Sequence, residues 1–215
     1  MPNPIEIVHS VLDIPEDVTA IIALGKQYGV DSSHEDILAS PDHLSDDSRI
    51  TVMGVGFTCM NAMERGQELR VLFTGNKKAL FTGSAVEFMS KQFPEVPENW
   101  YDNPDERSVT TMDSALRAPA ILLREGHSSA VLETVSFHAK RSRRQFTKTA
   151  SRLIKCIAAT DSLVAKQSEV GEELIETWSN SSRVKKERIK EKIAIVVEAG
   201  FIGSLGRKAI KAYRP

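Results

Sequence analysis

The segment 128–160 places apolar side chains along one line of a helical wheel, and this constrains the fold more than any other feature. The residues within roughly 60° of that line, at about 100° per residue, are Val131, Val135, Ala139, Ser142, Phe146, Ala150, Leu153 and Ile157. All of them except Ser142 are apolar, so this side must be buried. We therefore predict one continuous amphipathic helix over 128–160.

The opposite side of this predicted helix is basic. Residues 138–156 contain seven lysines and arginines and no acidic residue. Like charges three or four positions apart destabilise an isolated helix by roughly 0.2–0.5 kcal/mol per pair, and an anion would relieve this cost. The phosphate backbone of a nucleic acid supplies anions at regular spacing. We predict a nucleic-acid-binding surface made of Lys140, Arg141, Arg144, Lys148, Arg152 and Lys155; a solvated helix face is the alternative interpretation.

The charge is divided unequally along the chain, although the formal net charge is only -1. Residues 1–130 carry 10 basic and 20 acidic side chains, whereas residues 131–215 carry 18 basic and 9 acidic ones. A basic half suits a polyanion, and unlike halves suit head-to-tail contact between copies. The imbalance therefore predicts a homo-oligomer as well as a nucleic-acid partner.

The remaining patterns predict a mainly α protein with one small β-hairpin in its N-terminal half. Helical spacing of apolar residues favours helices over 13–29, 50–63 and 84–93, and a capping box begins at Ser32. The tetrapeptide LFTG occurs at 72–75 and again at 80–83, which predicts a hairpin around the intervening GNKK. Further helices are expected over 107–117, then after a break at Pro119 over 128–160, 162–178, 183–199 and 204–213.

The prolines of 94–106 divide the chain into three regions. We expect an acidic N-terminal region over 1–93, a proline-rich loop or linker over 94–106, and a basic helical region over 107–215. Trp100 and Tyr101 are expected to anchor the loop to a core.

The sequence contains none of the common catalytic motifs. GxSxG, HExxH, Walker A and GxGxxG are absent, and the five histidines have no ligand spacing. We predict that the chain is not an enzyme and has no catalytic residue, metal site or cofactor. Cys59 and Cys156 are expected to be buried, reduced thiols, and without a secretory signal this favours a cytoplasmic location.

These observations together predict a structural nucleic-acid-binding protein that self-associates, as a viral nucleocapsid protein does when it coats a genome. Binding would be independent of base sequence, with RNA a more suitable partner than DNA. A peripheral membrane or matrix-type protein that uses 183–215 on an acidic membrane surface would fit the same charges. So would a protein–protein adaptor, and an enzyme whose site has no sequence signature is a further interpretation.

Overall fold

A computed structural model describes residues 5–25, 44–75, 81–167 and 169–198. Five parallel strands form one sheet in the order β1-β5-β4-β2-β3. The strands are β1 (Glu6–Val8), β2 (Ala20–Leu24), β3 (Arg70–Thr74), β4 (Ala130–Thr134) and β5 (Ile154–Ala159). This α/β arrangement contradicts the prediction of a mainly helical chain with one small hairpin.

Seven α-helices lie within the described residues. They are α1 (Asp46–Glu64), α2 (Phe81–Gln92), α3 (Thr111–Arg124), α4 (Ser136–Ala150), α5 (Thr160–Ala165), α6 (Glu169–Asn180) and α7 (Ser182–Glu198). Short 3₁₀ helices occupy Val11–Asp13 and Glu98–Trp100.

The sheet is covered on both faces, which is why most residues of its inner strands are apolar. Helices α1 and α2 pack on one face, where their buried side chains share a core cluster with Ile21, Phe73 and Val131. Helices α3 and α4 pack on the other face, against Ile22, Leu132 and Ile157. Helices α6 and α7 contribute Trp178 and Val184 to a third cluster beside the start of α1.

The prediction of a helix over 13–29 is wrong. The apolar run of Ala20–Leu24 forms strand β2, and all five of its residues are buried between β3 and β4. A strand that is buried on both faces has no polar side and no alternation, so its short apolar run looks like the buried side of a helix.

The predicted hairpin at 72–83 is also wrong. The first LFTG copy lies in β3, which pairs with β2, whereas Phe81–Gly83 of the second copy begin helix α2. The Phe-Thr pair of the motif is therefore strand in the first copy and helix in the second, because tertiary packing overrides local preference.

The segment 128–160 is not one helix. It contains β4, helix α4 and β5, and Gly126, with φ of +90°, ends the preceding helix α3. Pro119 does not break α3, which runs from Thr111 to Arg124 with the proline inside it. The predicted helix over 162–178 is divided between α5 and α6.

Several predictions are confirmed. Helices α1, α2 and α7 cover the segments 50–63, 84–93 and 183–199 to within a few residues at their ends. Cys59 and Cys156 are buried free thiols. The capping box at Ser32 and the helix over 204–213 lie outside the described residues.

The proline-rich stretch 94–106 is a loop that follows the outer edge of β3. Trp100 and Tyr101 are buried, as expected of anchors. Asp105 forms a parallel bridge to Thr74: its amide donates to Phe73 O (2.8 Å), and its carbonyl accepts from the Gly75 amide (2.9 Å). The Arg70 side chain donates to Asn103 O at 2.6 Å, so the loop is fixed along the strand.

Candidate ligand-binding site

The strand order reverses direction between β2 and β4, which are neighbours in the sheet. The chain continues from β2 outward to β3 on one side, and from β4 outward to β5 on the other. In open parallel sheets a crevice forms beyond the carboxyl ends of the strands at such a point, and ligands bind there. The topology alone therefore points to the ends of β2 and β4.

A cleft of about 250 Å³ lies at this position. It is lined by the ends of β2, β3 and β4, by the first residues of α3, by α4 and by α7. The residues concerned are Leu24, Gly25, Thr74, Val109, Thr110, Thr111, Ser114, Thr134, His138, Arg141, Ser142 and Glu191. Hydroxyl groups and charged side chains make up most of this lining.

The hydroxyls at the strand ends differ in how they are paired. Thr74 Oγ1 and Ser114 Oγ lie 2.5 Å apart and satisfy each other. Thr134 is only 1% exposed, and its Oγ1 has no hydrogen-bond partner within the described part of the chain. A buried hydroxyl without a partner costs roughly 1–3 kcal/mol, so Thr134 is suited to a ligand that supplies one.

Helix α4 brings two basic side chains to the same cleft. His138 and Arg141 lie in its first two turns, on the side that faces the end of β4. Both side chains carry nitrogen donors, which suit a ligand rich in acceptor oxygens.

The start of α4 is held by the element that follows β5. The Ser136 amide donates to Asp161 Oδ1 (2.8 Å), and its hydroxyl donates to Asp161 Oδ2 (2.7 Å). Asp161 is itself buried at the start of α5. This contact fixes the direction in which α4 leaves β4 and therefore the positions of His138 and Arg141.

A carboxylate from α7 reaches the basic side chains. Glu191 Oε1 lies 2.8 Å from His138 Nδ1 and 3.6 Å from Arg141 Nη1. Glu191 is 7% exposed, so both contacts are shielded from solvent. The cleft therefore contains two basic side chains and a carboxylate in contact with both of them.

The opposite opening of the cleft is formed by the start of α3. Thr110 caps this helix by accepting from the Asp113 amide (3.1 Å), and Asp113 accepts in return from the Thr110 amide (2.9 Å). This capping box fixes the loop that carries Val109 and Thr110 into the cleft.

Glu133 is an acidic residue of strand β4, and its side chain is completely buried. Burial raises its pKa to about 8, an effect that the Thr58 hydroxyl partly opposes. Burial and the nearby Glu133 together raise the pKa of Cys156 to about 12 and that of Cys59 well above its usual value. Glu133 does not line the cleft.

The residues predicted for nucleic-acid binding are distributed over three elements. Lys140, Arg144 and Lys148 are exposed on α4, and Arg152 is exposed in the turn before β5. Arg144 donates to Ile195 O of α7 at 2.9 Å. Lys155 lies on β5, 2.8 Å from Asp17 Oδ2, and Arg141 faces the cleft. They therefore do not form the single helical stripe that the sequence predicts.

Sequence reasoning misses the cleft because it misses the parallel sheet. It singles out Arg141, but for a different ligand; it places His138 only at the border of the basic surface and gives Thr134 and Glu191 no part in it. One pattern in the sequence could have indicated the cleft. The mostly apolar run AVLETV at 130–135 is followed at once by a basic segment with helical spacing, as expected where a buried strand leads directly into a helix beside a ligand site.

Two negative findings concern the described residues. Among them, no cluster of histidine, cysteine or acidic side chains could hold a metal ion. No helix in the same ranges is long and apolar enough to cross a membrane.

Comparison of the chain with protein-family models, with curated proteins and with solved structures found no match.

Proposed function

We propose that the chain binds a small ligand carrying a phosphate or a similar compact anionic group in the cleft between β2 and β4. The observation that carries this proposal is the convergence of three groups beyond the end of β4: the unpartnered Thr134 hydroxyl, Arg141 and His138.

Each group has a role that suits a phosphate. The Arg141 guanidinium can donate two parallel hydrogen bonds to phosphate oxygens, and the Thr134 hydroxyl can donate a third. His138 offers a further ring-nitrogen donor at the same place. A cleft of about 250 Å³ accommodates such a group with a small organic body attached.

Isothermal titration calorimetry tests the proposal with inorganic phosphate, pyrophosphate and AMP, each at constant ionic strength. We expect at least one of the three to bind, and Arg141→Gln to weaken that binding by at least tenfold. Arg143→Gln is the matched control, because Arg143 is exposed on the same helix and does not line the cleft. Absence of binding by all three, or equal effects of the two substitutions, would contradict the proposal.

The second candidate function is that of a structural, self-associating nucleic-acid-binding protein. It is favoured by Lys140, Arg144 and Lys148, which are exposed on α4 at spacings of four residues. Residues 136–150 contain no acidic side chain. This surface would contact the phosphate backbone without reading the bases.

Salt-dependent binding to random-sequence RNA tests this second candidate. Replacing Lys140, Arg144 and Lys148 with Gln should lower the slope of log affinity against log salt concentration by roughly 2, about 0.7 for each phosphate contact with a single strand. The control is Gln at Lys185, Lys186 and Lys192 of α7, which removes the same charge from another exposed surface. An equal change in both variants would mean that only overall charge matters.

We also propose that the protein is located in the cytoplasm, whichever of the two functions it has. The two thiols are free and buried, which is compatible with a reducing compartment.

A further inference from the structure

Between Ser182 and Ile195, helix α7 buries few of its side chains completely. From Ser182 to Ile195 only Val184 and Glu191 are buried, whereas Lys186, Ile189 and Ile193 are exposed. A helix normally buries a continuous apolar stripe, and α7 instead buries one valine near its start and one carboxylate two turns later. A buried carboxylate such as Glu191 is therefore unusual at a position where a helix normally buries an apolar side chain.

The first half of α7 is anchored independently of the cleft. Val184 is completely buried beside Trp178, and Arg183 Nη2 lies 2.8 Å from Asp47 Oδ1 at the start of α1. The second half is held by Glu191 in the cleft and by the Arg144 side chain, which donates to Ile195 O.

The carboxylate of Glu191 lies where a ligand anion would have to lie. It contacts His138 and Arg141, the two basic residues of the cleft, and it is shielded from water. Glu191 already occupies nitrogen donors of both basic side chains, so a second anion has to compete with its carboxylate for them.

We propose that Glu191 is an internal competitor of the ligand and that the second half of α7 is a lid that the ligand displaces. This inference rests on the proposed function of the cleft. A phosphate carries about two negative charges and three acceptor oxygens, whereas Glu191 offers one charge and two oxygens. A phosphate-bearing ligand can therefore replace Glu191 at Arg141 and His138, and it then releases the helix from Glu191 onward.

The competition predicts that removing the charge of Glu191 improves binding. Calorimetry with inorganic phosphate and pyrophosphate should show at least tenfold tighter binding to Glu191→Gln than to the unchanged chain. Glu187→Gln is the control, since Glu187 lies one turn earlier on α7, pairs with Lys190 at 2.8 Å and does not line the cleft. Its affinity should stay within twofold of the unchanged chain.

Hydrogen exchange of the unchanged chain provides a measurement that does not depend on a variant. Saturating pyrophosphate should increase amide exchange in the α7 peptides from Glu191 to Glu198 and leave the peptides of α6 unchanged. If Glu191→Gln binds equally or more weakly, or if the ligand slows exchange in α7, the inference is wrong while the proposed function stands. If neither form binds phosphate, pyrophosphate or AMP, the proposed function fails, and the inference fails with it.

Discussion

The indole Nε1 of Trp178 donates a hydrogen bond to Oδ1 of Asp47 at 2.8 Å, and the two residues are 131 positions apart. The same carboxylate oxygen lies 2.8 Å from Arg183 Nη2. Asp47 is 1% exposed and stands in the first turn of α1, so one buried carboxylate joins α1 to both α6 and α7.

Removing this carboxylate should therefore destabilise the protein strongly. Asp47→Ala leaves the Trp178 indole and the Arg183 guanidinium without it, and breaking a buried charge pair typically costs about 3–5 kcal/mol. Urea denaturation measures the change in the free energy of unfolding. Asp46→Ala is the control, because Asp46 is 63% exposed and lies 3.7 Å from the same arginine. Its loss should cost less than about 1 kcal/mol, and equal losses would show that Asp47 is not the connecting group.

Because burial raises the pKa of Glu133, we expect the stability of the folded protein to fall as the pH rises. Its pKa is about 8 in the folded protein and about 4.5 in the unfolded chain, so between these values the folded state holds the extra proton. The free energy of unfolding should then decrease by up to about 1.4 kcal/mol per pH unit over this window and level off above it. Denaturation at pH 6, 7 and 8 measures this slope.

Glu133→Gln removes the titrating group and should flatten the dependence over the same interval. Glu173→Gln changes an exposed carboxyl of α6 and should leave the slope intact. A slope in Glu133→Gln equal to that of the unchanged chain would assign the dependence to different groups.

Two glycines in helices should respond to alanine in opposite directions. A Cβ at Gly54 of α1 would lie 2.7 Å from Thr160 Cβ, whereas one at Gly83 of α2 would meet nothing within 4 Å. Gly54→Ala should destabilise by about 1–3 kcal/mol because of overpacking against α5. Gly83→Ala should stabilise by roughly 0.5–1 kcal/mol through helix propensity. Thermal melting distinguishes the two, and a stabilised Gly54→Ala would disprove the close approach of α1 and α5.

The threonines at the ends of β3 and β4 should also differ when changed to valine. Thr134→Val removes a buried hydroxyl that has no partner in the described ranges, so the free protein should become more stable by about 1 kcal/mol while phosphate binding weakens. Thr74→Val instead leaves Ser114 without its partner and should cost about 1–2 kcal/mol. Calorimetry and melting curves recorded on both variants test the contrast, and a destabilised Thr134→Val would show that the hydroxyl is already satisfied.

The sequence predicts some helices from the spacing of apolar residues alone. In α1, Ile50, Phe57 and Met60 recur at helical spacing, and the helix agrees with the predicted segment 50–63. The loop 94–106 is predictable because proline fixes φ and removes backbone donors, and these effects are local.

The parallel sheet could not be predicted in the same way. Ala20–Leu24 and Ala130–Thr134 are buried on both faces, so neither shows the alternation that identifies a half-buried strand. In 128–160 two such strands flank a genuine amphipathic helix, and their apolar residues continue its helical spacing by coincidence. The cleft could not be predicted for the same reason. It lies where the strand order reverses, and this position can be located only after the strands have been identified.

The loop at the border of β3 has a consequence for how copies of this chain can meet. The backbone of Asp105 already forms hydrogen bonds with Phe73 O and with the Gly75 amide. At the opposite edge of the sheet, strand β1 is three residues long. A foreign strand therefore finds little unpaired backbone to extend, which limits fibril-like polymerisation. Among the described residues, the surfaces that remain for assembly are mainly the outer sides of the helices, where side chains and not main-chain amides decide which partner fits.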